Sequence, residues 1–98
     1  MPFVLHALDY ADARPRRMEV REKHLAQNEG FIKQGKLLYA AALLNDRGDM
    51  AGSLMVLDFS REEIDAYLKE EPYVQARVWE KIDITPCKIA PAFAPGNP

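Results

Sequence analysis

The sequence has a single cysteine, Cys87, so no disulfide can form within the chain. A thiolate-rich metal site is excluded for the same reason, and Cys87 itself is expected to do no more than pack. His6 and His24 are the only histidines, and they are not at a ligand-type spacing, so no metal is expected. The longest apolar stretch, residues 37–44, falls well short of the roughly 20 residues that a membrane-spanning helix needs. Charge of one sign is not in excess either. Thirteen Lys and Arg stand against 15 Asp and Glu, a net charge of −2 dispersed along the chain. That balance gives no footprint for nucleic acid or an anionic membrane. Phosphate-loop and dinucleotide glycine patterns are missing, and Gly52-Ser53 is not part of a Gly-x-Ser-x-Gly elbow. A nucleotide cofactor and a serine nucleophile are therefore not expected. Met1-Pro2-Phe3-Val4 lacks a basic leader region, which together with the lone cysteine points to the cytoplasm.

The sequence does contain one compact run of alternating elements. Residues 3–8 read as a buried strand, and Pro15 suits the first turn of a helix over residues 16–33. Met18, Leu25 and Ile32 recur every seven residues there, which marks a face turned to the core. Gly35 is placed to end that helix. Residues 36–43 read as a second strand, residues 45–49 as a hairpin turn, and residues 53–59 as the returning strand. Ser60-Arg61-Glu62-Glu63 is a capping box that opens a helix through Lys69, ended or redirected by Pro72. Residues 80–85 alternate as a final half-exposed strand.

The order β-α-β-β-α-β is the split ferredoxin-like plan, an α+β domain with an antiparallel four-stranded sheet and two helices on one face. Residues 1–89 form this domain. Residues 90–98, with three prolines, form an extended arm or a disordered tail. The first three strands are apolar at almost every position, yet two helices cover only one face of the sheet. The other face is expected to be an interaction surface, covered most simply by a second copy of the chain packed sheet to sheet.

Arg17, Arg21 and His24 fall at i, i+4 and i+7 of the first helix and so share a face. Two guanidinium groups beside an imidazole that titrates near neutrality make an anion site with a proton carrier in it. The same spacing also suits a solvated charged helix. Glu71, in Glu70-Glu71-Pro72-Tyr73, lies where a helix gives way to a turn. A carboxylate there can orient the imidazole and fix its tautomer, or it can be an ordinary loop residue. Tyr73 can donate to a ligand or simply pack. His6 alternates with Val4 and Leu8. It reads first as a buried, hydrogen-bonded core histidine and second as a lining of the same cavity.

The segment Arg17-Met18-Glu19-Val20-Arg21-Glu22-Lys23-His24-Leu25 resembles the first helix of the YCII-related proteins, which read Arg-x-x-x-Arg-Pro-x-His-Leu. Gly52-Ser53 matches at the third strand. Glu71-Pro72-Tyr73-Val74-x-Ala76-x-Val78 is similar to the family's Asp-Pro-Tyr-Val-x-Ala-Gly-Val. The resemblance runs through Lys88. It implies a dimeric α+β barrel shaped like the muconolactone isomerases, with a His–Asp pair in a pocket between helices and sheet. It also implies activities such as dehydrochlorination of chlorinated hydroxyquinols in aromatic degradation. This chain departs from the family pattern at Glu71 (for Asp), at Glu22 (for Pro) and at Arg77 (for Gly), where a third cation would line or narrow the pocket.

Taken together, these readings describe a cofactor-independent acid-base enzyme acting on an anionic cyclic or aromatic metabolite, as a lyase or isomerase. His24 carries the proton and Glu71 orients it. Arg17, Arg21, Ser53 and Tyr73 bind substrate, and His6 and Arg77 line the pocket. A dimeric module that captures a small acidic metabolite without turning it over is the alternative.

Overall fold

The computed structural model describes residues 2–94. Strand β1 (Phe3–Asp9) leads into helix α1 (Arg14–Lys33), followed by strands β2 (Leu37–Leu44) and β3 (Met50–Leu57). Helices α2 (Arg61–Glu70) and α3 (Pro72–Gln75) precede strand β4 (Trp79–Pro86). The sheet order is β2-β3-β1-β4 with every neighbouring pair antiparallel. This is the ferredoxin-like α+β plan expected from the sequence. Among the described residues, no helix is long and apolar enough to cross a membrane.

Strand alternation sorts the two faces. Phe3, Leu5 and Ala7 of β1 lie opposite Leu57, Met55 and Ser53 of β3, and all six are buried beneath the helices. Ile64, Tyr67 and Tyr73 complete that core from α2 and α3. Phe31 of α1 closes it by edge-on contacts with Phe59 and Tyr67, with ring centroids 5.2 and 5.8 Å apart. Val4, His6, Leu8, Leu54, Val56 and Tyr39 fall on the opposite face and are half-buried or exposed.

Ser60 accepts from the Glu63 amide at 3.1 Å while Glu63 accepts from the Ser60 amide at 2.9 Å, the reciprocal pair of a capping box. Gly35 takes φ +70° after α1, and the Lys36 amide reaches back to the Phe31 carbonyl at 2.8 Å. That closure satisfies carbonyls the helix would otherwise leave unpaired.

Four expectations need correction. Strand β3 begins at Met50 rather than Ser53, because Asn45 closes the turn early. Its side chain accepts from the amides of Arg47 and Asp49, and Leu44 already pairs with Met50. Pro72 starts a further short helix, α3, rather than a plain turn. The seven-residue stripe on α1 faces outward: Met18, Leu25 and Ile32 are 53%, 45% and 58% exposed. The residues one position earlier, Arg17 and His24, are buried with Asn28 instead. His6 is neither in the core nor beside the pocket. It sits half-buried on the open face, between Leu54 and Asp83 in register.

The arm expected over residues 90–98 begins as a 3-10 turn, Pro91–Phe93, and its last four residues lie outside the described residues. Ile89 and Phe93 border a hollow on the open face with Leu38, Tyr39 and Val56.

At Gly52 the backbone of β1 passes close over β3. A Cβ there would run into the backbone carbonyl of Ala7, and backbone cannot yield as a side-chain tip can. Gly52→Ala is expected to destabilise the fold by about 1–3 kcal/mol, the usual scale for forcing extra atoms into a packed site. An unchanged urea midpoint would show that the strands separate freely.

Candidate active site

The site forms where α1 crosses the corner between α2 and α3, above the core face of β3. Glu71 sits at that corner, 0% exposed, as the cap of α3. Pro72 follows at the first helical position, where its missing N–H costs nothing. Three donors converge on the carboxylate. The Tyr73 amide reaches Oε1 at 2.9 Å, the Tyr67 hydroxyl reaches Oε2 at 2.7 Å, and His24 Nδ1 lies 2.8 Å from Oε1. Tyr67 stands one helical turn before Glu71, so α2 supplies its own support for the carboxylate.

The other imidazole nitrogen, Nε2, lies 3.2 Å from the Asn28 amide nitrogen. An amide NH2 can only donate, so Nε2 accepts and the ring proton sits on Nδ1, donating to Glu71. Tyr73 stacks flat on the imidazole, with centroids 3.8 Å apart and an 11° tilt, and Trp79 meets it edge-on at 6.1 Å. Ring and carboxylate are thus fixed in plane and in tautomer.

Arg17 is buried, and its guanidinium is engaged within the protein. Nε donates to Asp9 Oδ2 at 2.9 Å, and Nη2 donates to the Gly52 carbonyl at 2.9 Å and Ser53 Oγ at 3.0 Å. The same guanidinium lies 4.7 Å from the centre of the Tyr73 ring. The paired role expected for the two arginines therefore divides. Arg17 ties α1 to β1 and β3 and carries a charge already balanced by Asp9. Arg21 is exposed, lines the pocket and makes no ion pair among the described residues.

The pocket itself, about 210 Å³, is bordered by Arg21, His24, Asn28, Ser53 and Tyr73, with Ala40 and Ala42 of β2 as a low wall. Ser53 Oγ accepts from both Arg17 and Trp79 Nε1, the latter at 3.2 Å, which leaves its own proton to give. Among the described residues, no group of three or more His, Cys, Asp or Glu is placed to hold a metal.

Burial, then the Glu71 charge, pushes the Tyr67 hydroxyl far above the ordinary phenol value. Burial also raises the Tyr73 hydroxyl, with Arg17 and Arg21 pulling the other way. Both phenols hold their protons at neutral pH.

Arg77 is not in the pocket. It is exposed with φ +59°, a left-handed backbone that glycine adopts freely and that costs other residues about 1–2 kcal/mol. Arg16 grips its carbonyl with two nitrogens, at 2.8 and 3.1 Å, and both guanidinium groups lie within 6 Å of the Tyr10 ring. The turn requires that backbone, and the arginine side chain serves packing.

Sequence reasoning passed over Asp9, Asn28, Tyr67 and Trp79. Signals for three of them were present. Asp9 continues the inward alternation of Phe3, Leu5 and Ala7, Asn28 is four residues beyond His24, and Tyr67 is four before Glu71. Trp79 carried no signal of its role at Ser53.

Fold and site together define a ferredoxin-like α+β domain with a buried imidazole–carboxylate pair beside a small polar-edged pocket. The chain belongs to the YCII-related family, whose domain matches residues 1–88. It is 35% identical over 95 residues to the protein YciI of Escherichia coli O6:H1 and, equally, of Shigella flexneri, covering 90% of this chain and 97% of theirs. Over 80 residues it is 31% identical to aspercryptin biosynthesis cluster protein B of Emericella nidulans, covering 74% of this chain and 51% of that protein. In three dimensions it is similar to the 5-chloro-2-hydroxyhydroquinone dehydrochlorinase TftG of Burkholderia phenoliruptrix, solved with 2,5-dihydroxybenzoquinone. The TM-score is 0.82 at 20% identity, over 94% of this chain and 98% of that one. That likeness is one of fold.

Tyr67→Phe removes a donor from a fully buried carboxylate and should cost about 1–3 kcal/mol in denaturant melts. The pH dependence has a definite sign. A folded-state phenol value raised above 10.0 gives stability that is complete below about pH 10 and is lost as pH rises further. The variant should lose that part of the alkaline decline, and an identical alkaline slope would place the cause elsewhere.

Proposed function

We propose that this chain is a cofactor-independent acid-base enzyme in which His24 moves a proton on a compact anionic, cyclic or aromatic metabolite. The single observation that carries this reading is the 2.8 Å contact between His24 Nδ1 and the wholly buried Glu71. A pocket that only captured an acidic ligand would need cations. It would have no use for an imidazole held in one tautomer beside a desolvated carboxylate.

In the first step, a ligand hydrogen leaves its bonding pair on the ligand and forms an N–H bond at Nε2. Glu71 then faces an imidazolium rather than an imidazole, and its charge stabilises that state. Arg21 meets the negative charge of the ligand, and Ser53 has a proton to offer a ligand oxygen. Loss of a halide with its bonding pair, or return of the proton at a second atom, completes a dehydrochlorination or an isomerisation. TftG, similar in fold, is named for the first of these.

We also propose that the chain pairs through the open sheet face as a homodimer in the cytoplasm. Tyr39, Leu8, Leu54, Val56 and Val4 share the sheet face that no helix covers, an apolar surface of the kind that marks an interaction site.

The functional test uses 2,5-dihydroxybenzoquinone, a planar acidic ring, as a binding probe and 5-chloro-2-hydroxyhydroquinone as a trial substrate. The probe should shift the NMR signals of His24 and Arg21. Arg21→Lys should weaken its binding, because a point ammonium cannot copy a forked hydrogen bond. Chloride release should fall about a hundredfold or more in His24→Ala, the usual scale for a positioned acid-base group. Equal rates in the two chains would remove His24 from the chemistry, and binding with no turnover would favour the capture module. For the dimer, sedimentation at micromolar concentration should give twice the monomer mass, and a clean monomer would refute the pairing.

A further inference from the structure

Asn28 is 6% exposed and lines the pocket, yet only one end of its amide is paired. Nδ2 reaches His24 Nε2, while Oδ1 is sealed from solvent and has no hydrogen-bond partner. A buried carbonyl oxygen that has given up its bonds to water and gained none in return is costly to the fold. A leucine at this position would fill similar space at no such cost. The amide therefore does something that a single fixed orientation does not use.

The geometry indicates what that is. An amide is the one uncharged side-chain group that presents a donor at one end and an acceptor at the other, exchanged by half a turn about its last bond. Beside a neutral imidazole, Nδ2–H faces the lone pair of Nε2. Once Nε2 carries a proton, that arrangement sets donor against donor, and half a turn sets Oδ1 against Nε2–H instead. Glu71 already occupies Nδ1, so Nε2 is the nitrogen where a proton can arrive and leave.

We propose that Asn28 is a positioning residue that acts through His24, its amide turning over to hold the proton that Nε2 receives. The inference rests on the proton-carrier reading of His24. As a ligand donor approaches, Nδ2 gives way and Nε2 receives the ligand hydrogen. The hydrogen leaves its bonding pair on the ligand and forms the N–H bond at Nε2, and Oδ1 keeps that N–H in place until the proton is returned. The groups surrounding the imidazole do not duplicate this role. Glu71 faces the other nitrogen, Tyr73 stacks on the ring and Trp79 meets its edge, while Arg17 and Arg21, on the same helix, are cations and cannot accept. Strands β2 and β3 bring only Ala40, Ala41, Ala42, Met50, Ser53 and Met55 to the pocket, none of them ionisable.

Selective nitrogen-15 labelling of Asn and His in the full chain tests the proposal without a substrate. At high pH a coupling across the hydrogen bond should link Asn28 Nδ2 to His24 Nε2. As His24 takes up its proton, that coupling should vanish, and the Asn28 amide resonances should move with the same midpoint. Asn28→Asp, an acceptor that cannot donate, should raise that midpoint by about one pH unit or more, the scale for an opposite charge in contact. Asn28→Leu, similar in size, should leave the chain folded. It should also lower kcat for any turnover of 5-chloro-2-hydroxyhydroquinone more than it raises KM, a split that lost packing alone would not give. If His24 titrates while the amide resonances and coupling stay still, the Asn28 inference fails alone. A His24 that keeps one protonation state from pH 5 to 9 overturns the proton-carrier reading and this inference with it.

Discussion

Burying the Glu71 carboxylate is the constraint from which the rest of the site follows. An ion taken out of water costs several kcal/mol unless hydrogen bonds and charge replace its hydration. Here the replacement comes from three elements at once. Tyr67 of α2 serves one oxygen, while the Tyr73 amide of α3 and His24 of α1 serve the other. No local segment could provide all three. The carboxylate therefore fixes how α1 lies over the α2–α3 corner, and an interaction 47 residues apart in sequence sets the packing of the domain.

The same constraint explains why the fold was easier to read than the face of α1. Strand alternation, the capping box at Ser60 and the Gly35 stop are local signals, and local backbone chemistry decides them. The apolar series Met18, Leu25 and Ile32 was also a correct period, but it did not mark the buried side. Burial on α1 belongs to Arg17, His24 and Asn28; Arg17 and His24 find partners in Asp9, Ser53 and Glu71 that lie elsewhere in the sequence, and Asn28 bonds to His24. Hydrophobic periodicity sees only apolar residues, so a helix whose inward face is polar is read about 100° out of phase.

Within the site, His24 and Glu71 could be singled out because their roles need particular residue types at particular places. The division of labour between Arg17 and Arg21 could not. Both share the face, and only the position of Asp9 at the end of β1 decides which charge is already balanced. His6 was misplaced by the same ambiguity that every strand carries. Alternation groups His6 with Val4 and Leu8 but does not say which face looks toward the helices. Arg77 drew attention as a charge, whereas its backbone angle is what the turn requires.

The change from the family's aspartate to Glu71 is also a change in helix capping. Aspartate is among the preferred caps, and its short side chain naturally meets the amide two residues on. Glu71 makes that same contact to Tyr73 with Oε1 while the same oxygen meets the imidazole. Its extra carbon, a bond of about 1.5 Å, lets the carboxylate reach outward to His24 without releasing the cap and turns Oε2 toward Tyr67. One oxygen thus starts α3 and holds the imidazole, so the ring cannot shift without disturbing the helix that follows. Charge closes the account of the site. Arg17 is matched by Asp9, Glu71 is held by its three hydrogen-bond donors, and Arg21 is left without an ion-pair partner among the described residues. A ligand that brings one negative charge, and gives His24 a proton as it reacts, makes each new charge beside a counterpart that is already in place.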